Sequence, residues 1–104
     1  MDDAKKKELI EQLKTKLRIT WDNKKTNTEL SDLVDDTESY MNHILGAEVD
    51  YSVPGIMRRL FLAYASYVWN DCEDEFEDAY KKEIIKARAI CEVKENEKET
   101  ITSE

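Results

Sequence analysis

Apolar residues recur along this chain at intervals of three and four, and the runs they form predict four helices. The first spans residues 3–18, where Leu9, Ile10, Leu13 and Leu17 make one narrow stripe in a largely polar segment, so it packs on one face only. The second opens at Thr26-Asn27-Thr28-Glu29, which has capping-box spacing: the Thr26 hydroxyl accepts from the Glu29 amide, and the Glu29 carboxylate reaches back to the Thr26 amide. Leu30, Leu33, Val34, Thr37, Tyr40, Met41, Ile44 and Leu45 trace its buried side, and Gly46 stops it by taking a left-handed conformation. The third begins near Ser52-Val53-Pro54, because proline suits a first turn. From Ile56 to Trp69 it is apolar nearly all round, which places it at the centre of its own domain or between subunits. The fourth, residues 74–93, repeats Phe76, Ala79, Tyr80, Ile84, Ala87 and Ile90.

Residues 17–30 are the least generic stretch. One helix ends there, Trp21 stands beside the break, and the next helix begins. The expected core is Leu9, Leu13, Leu17, Trp21, Leu33, Ile44, Leu60, Tyr64, Val68, Phe76, Tyr80 and Ile84. With two glycines and one proline in 104 residues, the chain has few places to turn sharply. The fold class is therefore all-α: a compact bundle of about four helices with one modest core. A single domain covers residues 1–93. Residues 94–104 hold little to bury and are expected to form a flexible, acidic, disordered tail.

Charge changes this picture in one respect. The formal net charge is −8, which opposes binding to nucleic acid phosphate. Residues 1–18 nevertheless carry six Lys and Arg against four Asp and Glu, while residues 71–78 hold six carboxylates and no base. Solvated helix faces account for such blocks, and so does complementarity between copies or partners. On the second account Lys5, Lys6, Lys7, Lys14, Arg58 and Arg59 are the candidate contacts, opposite Asp71, Glu73, Asp74, Glu75, Glu77 and Asp78.

No reaction chemistry assembles from the remaining residues, so the chain is read as a non-enzyme without catalytic, cofactor or metal residues. His43 is the single histidine and is read as a boundary residue on the second helix. There is no phosphate-cradling glycine loop, nucleophile elbow or Cys-His spacing. The acidic run lacks the glycine turn and alternating ligands of a calcium loop, and helix geometry would spread its carboxylates apart. Cys72 and Cys91 have no second pair with which to hold a metal, and reduced thiols in the cytosol fit them. No signal peptide is visible, and the longest apolar stretch, residues 60–69, is about half of a membrane span.

The order of these features resembles a known family. Leu17-Arg18-Ile19-Thr20-Trp21 closes a first helix, and a polar loop leads to a helix ending in Ile44-Leu45-Gly46. There follow Glu48-Val49-Asp50-Tyr51, a helix through residues 60–67 with Asn70 after it, and residues 76–80 opening the last helix. Over residues 5–93 this is similar to the head-tail connector proteins of tailed bacteriophages, also called adaptor or head-completion proteins, in the form found in phages and prophages of Gram-positive bacteria. The resemblance implies a ring of about a dozen copies beneath the portal protein. Such a ring sits in the virion neck, is assembled in the bacterial cytoplasm, and docks a downstream neck or tail-completion protein. DNA passes through it without sequence-specific contact, and no membrane is involved. Two other classes fit an acidic helical chain of this size: a DNA mimic, which needs carboxylates spread over an extended face, and a small regulatory helical interaction module.

Overall fold

Most of the helix ends are set by a side chain or a left-handed residue that satisfies free backbone groups. The computed structural model describes the backbone of residues 2–102 and the side chains of residues 2–93. Helix α1 (Asp3–Lys16) is capped by Asp2, whose carboxylate accepts from the Lys5 amide at 2.8 Å. It ends where Arg18 turns left-handed at φ 58°. The Arg18 amide donates to the Thr15 carbonyl at 3.2 Å and the Ile19 amide to that of Lys14 at 2.8 Å. This is a Schellman ending, and it folds Ile19 back into the core.

Helix α2 (Lys24–Leu45) starts earlier than the capping-box reading places it. Asn23 is the cap, with its side-chain oxygen accepting from the Thr26 amide at 2.8 Å. Asparagine outranks threonine as a cap, and the Thr26 hydroxyl is taken by the Trp21 indole N–H at 3.0 Å. Gly46 closes α2 at φ 70°, as its position in the sequence predicts.

Helix α3 (Ile56–Trp69) is entered through Gly55 at φ 145°, so Pro54 lies in the preceding turn and not in the helix itself. It ends as α1 does. Asp71 is left-handed at φ 57°, its amide bonds the Val68 carbonyl, and the Cys72 amide bonds that of Tyr67. The expected fourth helix is interrupted. A 3-10 turn (Glu73–Glu75) runs into the short α4 (Phe76–Ala79), and Tyr80 separates that from α5 (Lys81–Thr102). No strand occurs among the described residues. The α5 backbone is helical to Thr102, while the side chains of the expected tail, residues 94–104, lie outside the described residues.

Helix α3 touches α1, α2, α5, the acidic turn and α4, which explains why its sequence is apolar nearly all round. Of the expected core, Leu9, Leu13, Leu33, Leu60, Phe76 and Ile84 are buried, and Leu17, Ile44, Tyr64, Val68 and Tyr80 pack half-buried against them. Trp21 corrects the sequence reading: it is 51% exposed, because its hydrogen bond to Thr26 holds the ring along the junction and not beneath it. Ala79 and Ile90 are also exposed, and Cys91 takes the buried place. Phe76, Tyr80, Ile84, Ala87 and Cys91 share one helical face, and Ala79 and Ile90 lie just beyond the edge of that face, on the side turned to solvent.

Phe76 joins the C-terminal part to the rest. Its ring meets Tyr64 at 5.1 Å, Tyr67 at 5.8 Å and Tyr40 at 6.2 Å edge-on, and lies nearly parallel to Tyr80 at 5.1 Å. Tyr40 and Tyr64 stack face to face at 3.8 Å, so α2 and α3 present one surface to it.

Two stability outcomes follow. Phe76→Ala should cost about 3–5 kcal/mol in urea unfolding, and a loss below about 1 kcal/mol would contradict a central role. Arg18→Gly should gain about 0.5–1 kcal/mol, because glycine avoids the left-handed steric cost. A destabilised glycine variant would show that the arginine side chain itself holds the ending.

Candidate functional site

The cations expected to face a partner are largely engaged within the subunit. Lys5 of α1 pairs with Asp50 at 2.8 Å, and Lys6 pairs with Asp35 of α2 at 2.9 Å. Arg58 of α3 reaches back to Glu8 at 3.3 Å and also donates to the Ser52 carbonyl at 3.1 Å. Lys14 lies 3.7 Å from Glu11 on its own helix. Lys7 and Arg59 are exposed. These pairs tie α1 to three neighbours. The Asp50 carboxyl is held down to about 2, first by the Lys5 hydrogen bond and then by the Ser52 hydroxyl and amide. The Lys5 ammonium is raised in turn, chiefly by its hydrogen bond to Asp50.

The acidic residues stand apart from these cations. Asp71, Glu73, Asp74, Glu75, Glu77 and Asp78 are all exposed, and among the described residues none of them forms an ion pair. Several lie in the first turns of the 3-10 segment and α4, where the free amides favour negative charge. Their field falls on the aromatic cluster. Burial, then Glu77 and Tyr64, pushes the Tyr40 phenol up to about 12. Burial, followed by Glu73, Asp36 and Glu77, raises Tyr64. The Cys72 thiol is raised by burial and then by Glu75, Asp74, Glu73 and Asp71, which disfavours the nucleophilic thiolate.

A groove of about 880 Å³ separates the α2–α3 link from α5, with Val49, Val53, Met57 and Ile90 on its walls and Glu48 at its rim. His43 is exposed on the last turn of α2. Among the described residues no three His, Cys, Asp or Glu side chains are grouped to hold a metal ion, and no helix is long and apolar enough to cross a membrane. The arrangement offers surfaces for contact: an acidic face over tyrosines, an apolar groove, and the exposed Trp21.

Several residues that shape these surfaces escaped the sequence reading. Tyr51 is fully buried, donates its hydroxyl to the Asn42 side chain at 2.7 Å, and packs on Phe61 at 4.8 Å. Asn42 also accepts from the Val49 amide and, through its carbonyl, from Gly46 and Ala47, so one residue anchors the whole α2–α3 link. Only its place four residues before Gly46 could have signalled this. The exposed Ile85 and Val93 on α5 were legible as a second apolar row, spaced by four through Ala89.

No family model matches the chain, and no curated protein or solved structure matches it either.

The raised tyrosines carry a pH dependence. A phenol whose folded pKa lies above its unfolded value of 10.0 contributes stability that is complete below pH 10 and lost as the pH rises toward 12. Denaturant unfolding should therefore show falling stability between pH 10 and about 12, with a shallower fall in Tyr40→Phe. Equal slopes for the two proteins would show that Tyr40 is not coupled to folding.

Proposed function

We propose that this chain is a noncatalytic head-tail connector subunit of a tailed bacteriophage or prophage. Copies of it would form a ring in the virion neck beneath the portal protein, extend the DNA channel, and offer a surface to the next neck or tail protein. The observation that carries the reading is Trp21. The segment Leu17-Arg18-Ile19-Thr20-Trp21, which bears the resemblance to connectors, ends in an indole that is half-exposed and held by a hydrogen bond. A large aromatic ring oriented before a partner arrives is the kind of side chain that dominates protein interfaces.

The distribution of charge supports the same reading over a DNA mimic. A mimic needs carboxylates spread along an extended face, whereas six of them here are concentrated in residues 71–78. Lys81, Lys82, Lys86 and Arg88 follow directly on α5, where they would repel whatever binds DNA through its own cations.

The test is to mix the purified chain with the portal protein encoded by the same genome and weigh the products by native mass spectrometry. The expected product carries about a dozen copies of this chain per portal ring. Trp21→Ala, with unchanged helical circular dichroism, should weaken its formation by about tenfold or more. A chain that ignores the portal but displaces DNA from a DNA-binding protein would overturn the connector in favour of the mimic.

A further inference from the structure

We infer that the outward face of α5 docks on the acidic segment, residues 71–78, of a second copy of this chain. Helix α5 is apolar on two sides. Its inner stripe, Ile84, Ala87 and Cys91, is buried against the bundle. A second row, Ile85, Ala89 and Val93, repeats every four residues and therefore lies on one outward line. Ile85 is 58% and Val93 55% exposed, so two large aliphatic side chains stand in solvent a little over two turns apart. One such residue is ordinary on a surface; a row of them on one helix marks a contact face.

Charge identifies what covers this row. Lys81, Lys82, Lys86 and Arg88 flank it and are exposed, with Glu83 and Glu92 as the only acids in the same stretch. The occupant is therefore anionic and partly apolar. Residues 71–78 have that chemistry: six exposed carboxylates beside the half-buried rings of Tyr64 and Tyr67. Because Lys5, Lys6, Lys14 and Arg58 are already paired at home, α5 carries the largest block of cations left for the acids of a neighbour. Nucleic acid and anionic lipid are also acidic, and the net charge of −8 opposes them and a second copy alike at long range, but of the three only the second copy also carries cations of its own to offset that repulsion. A second copy brings the complement on its own surface.

The contact joins two different surfaces and leaves one of each unfilled at the ends of any short oligomer. It therefore propagates until it closes into a ring or continues as a fibre. Closure under a portal rests on the connector reading; the pairing of faces does not.

A charge-swap experiment on the full chain decides it. Lys82→Glu/Lys86→Glu makes α5 acidic, and Asp74→Lys/Glu75→Lys/Glu77→Lys/Asp78→Lys makes the acidic segment basic, with Asp71 and Glu73 its remaining carboxylates. All of the substituted positions are exposed, and circular dichroism verifies folding. In analytical ultracentrifugation the wild-type chain should associate at low salt and loosen as salt screens the contact. Each charge-reversed variant alone should associate about tenfold more weakly or worse, and an equal mixture of the two should recover association, because every contact is again between opposites. Ile85→Ser should weaken association without changing its salt dependence. A wild-type chain that stays monomeric at every concentration, or one whose association survives Lys82→Glu/Lys86→Glu, overturns the inference. So does a mixture that fails to recover, or α5 charge reversal that abolishes binding to duplex DNA or anionic vesicles while self-association persists. In the second case the chain could still form rings through other faces, so failure of the pairing is distinguishable from failure of the connector reading.

Discussion

Phe76 sits fully buried among Tyr40, Tyr64, Tyr67 and Tyr80, and the C-terminal part of the fold depends on that insertion. The ring has no polar atom to satisfy, so its burial transfers apolar surface from water at no hydrogen-bonding cost. The tyrosines around it keep their hydroxyls near the surface, and a cluster of this kind can lie at the rim of a small core without stranding polar groups. Four residues, Phe76–Ala79, are too few to form a helix unaided. They are held because Phe76 is anchored, and the bend at Tyr80 then directs α5 back along α2 and α3.

The same insertion explains where charge accumulates. Seating Phe76 brings residues 71–78 over the tyrosines, with every carboxylate facing solvent. Neutral phenols and a neutral thiol beneath a carboxylate field resist ionisation. On the other side of the bundle, α1 uses its cations as ties to Asp35, Asp50 and Glu8. Such exposed pairs add little stability individually. Their larger consequence is that α1 has fewer free cations to offer than its composition implies, and α5 becomes the basic face.

Helices α1 and α3 end on left-handed residues that are not glycine, Arg18 and Asp71, although that conformation is costly for a side-chain-bearing residue. Both endings border the surfaces described here. Arg18 precedes the exposed Trp21, and Asp71 opens the acidic segment. A charged residue at each of these positions therefore stands at some expense in stability where glycine would avoid the steric cost.

Periodicity determined much of this protein by itself. The all-α class, the residues that form α1, α2 and α3, the stop at Gly46 and most of the buried side chains could be read directly, because each depends on spacing along one helix. What tertiary structure decided was the competition between local options. Asn23 and Thr26 could both cap α2, and the Trp21 indole settled the matter by engaging the Thr26 hydroxyl, which also left Trp21 at the surface. A continuous helix over residues 74–93 was locally acceptable, but the folded chain opens with a 3-10 turn at Glu73–Glu75 and pauses again at Tyr80, and Cys91, not Ile90, is buried against the bundle. Charge was the least legible feature. Composition counts Lys5, Lys6 and Arg58 as free, and only the packing of α1 against residues far along the chain reveals that Asp50, Asp35 and Glu8 already neutralise them. Periodicity is a property of neighbours in sequence, whereas ion pairing, and the choice between adjacent apolar positions such as Ile90 and Cys91, depend on neighbours in space.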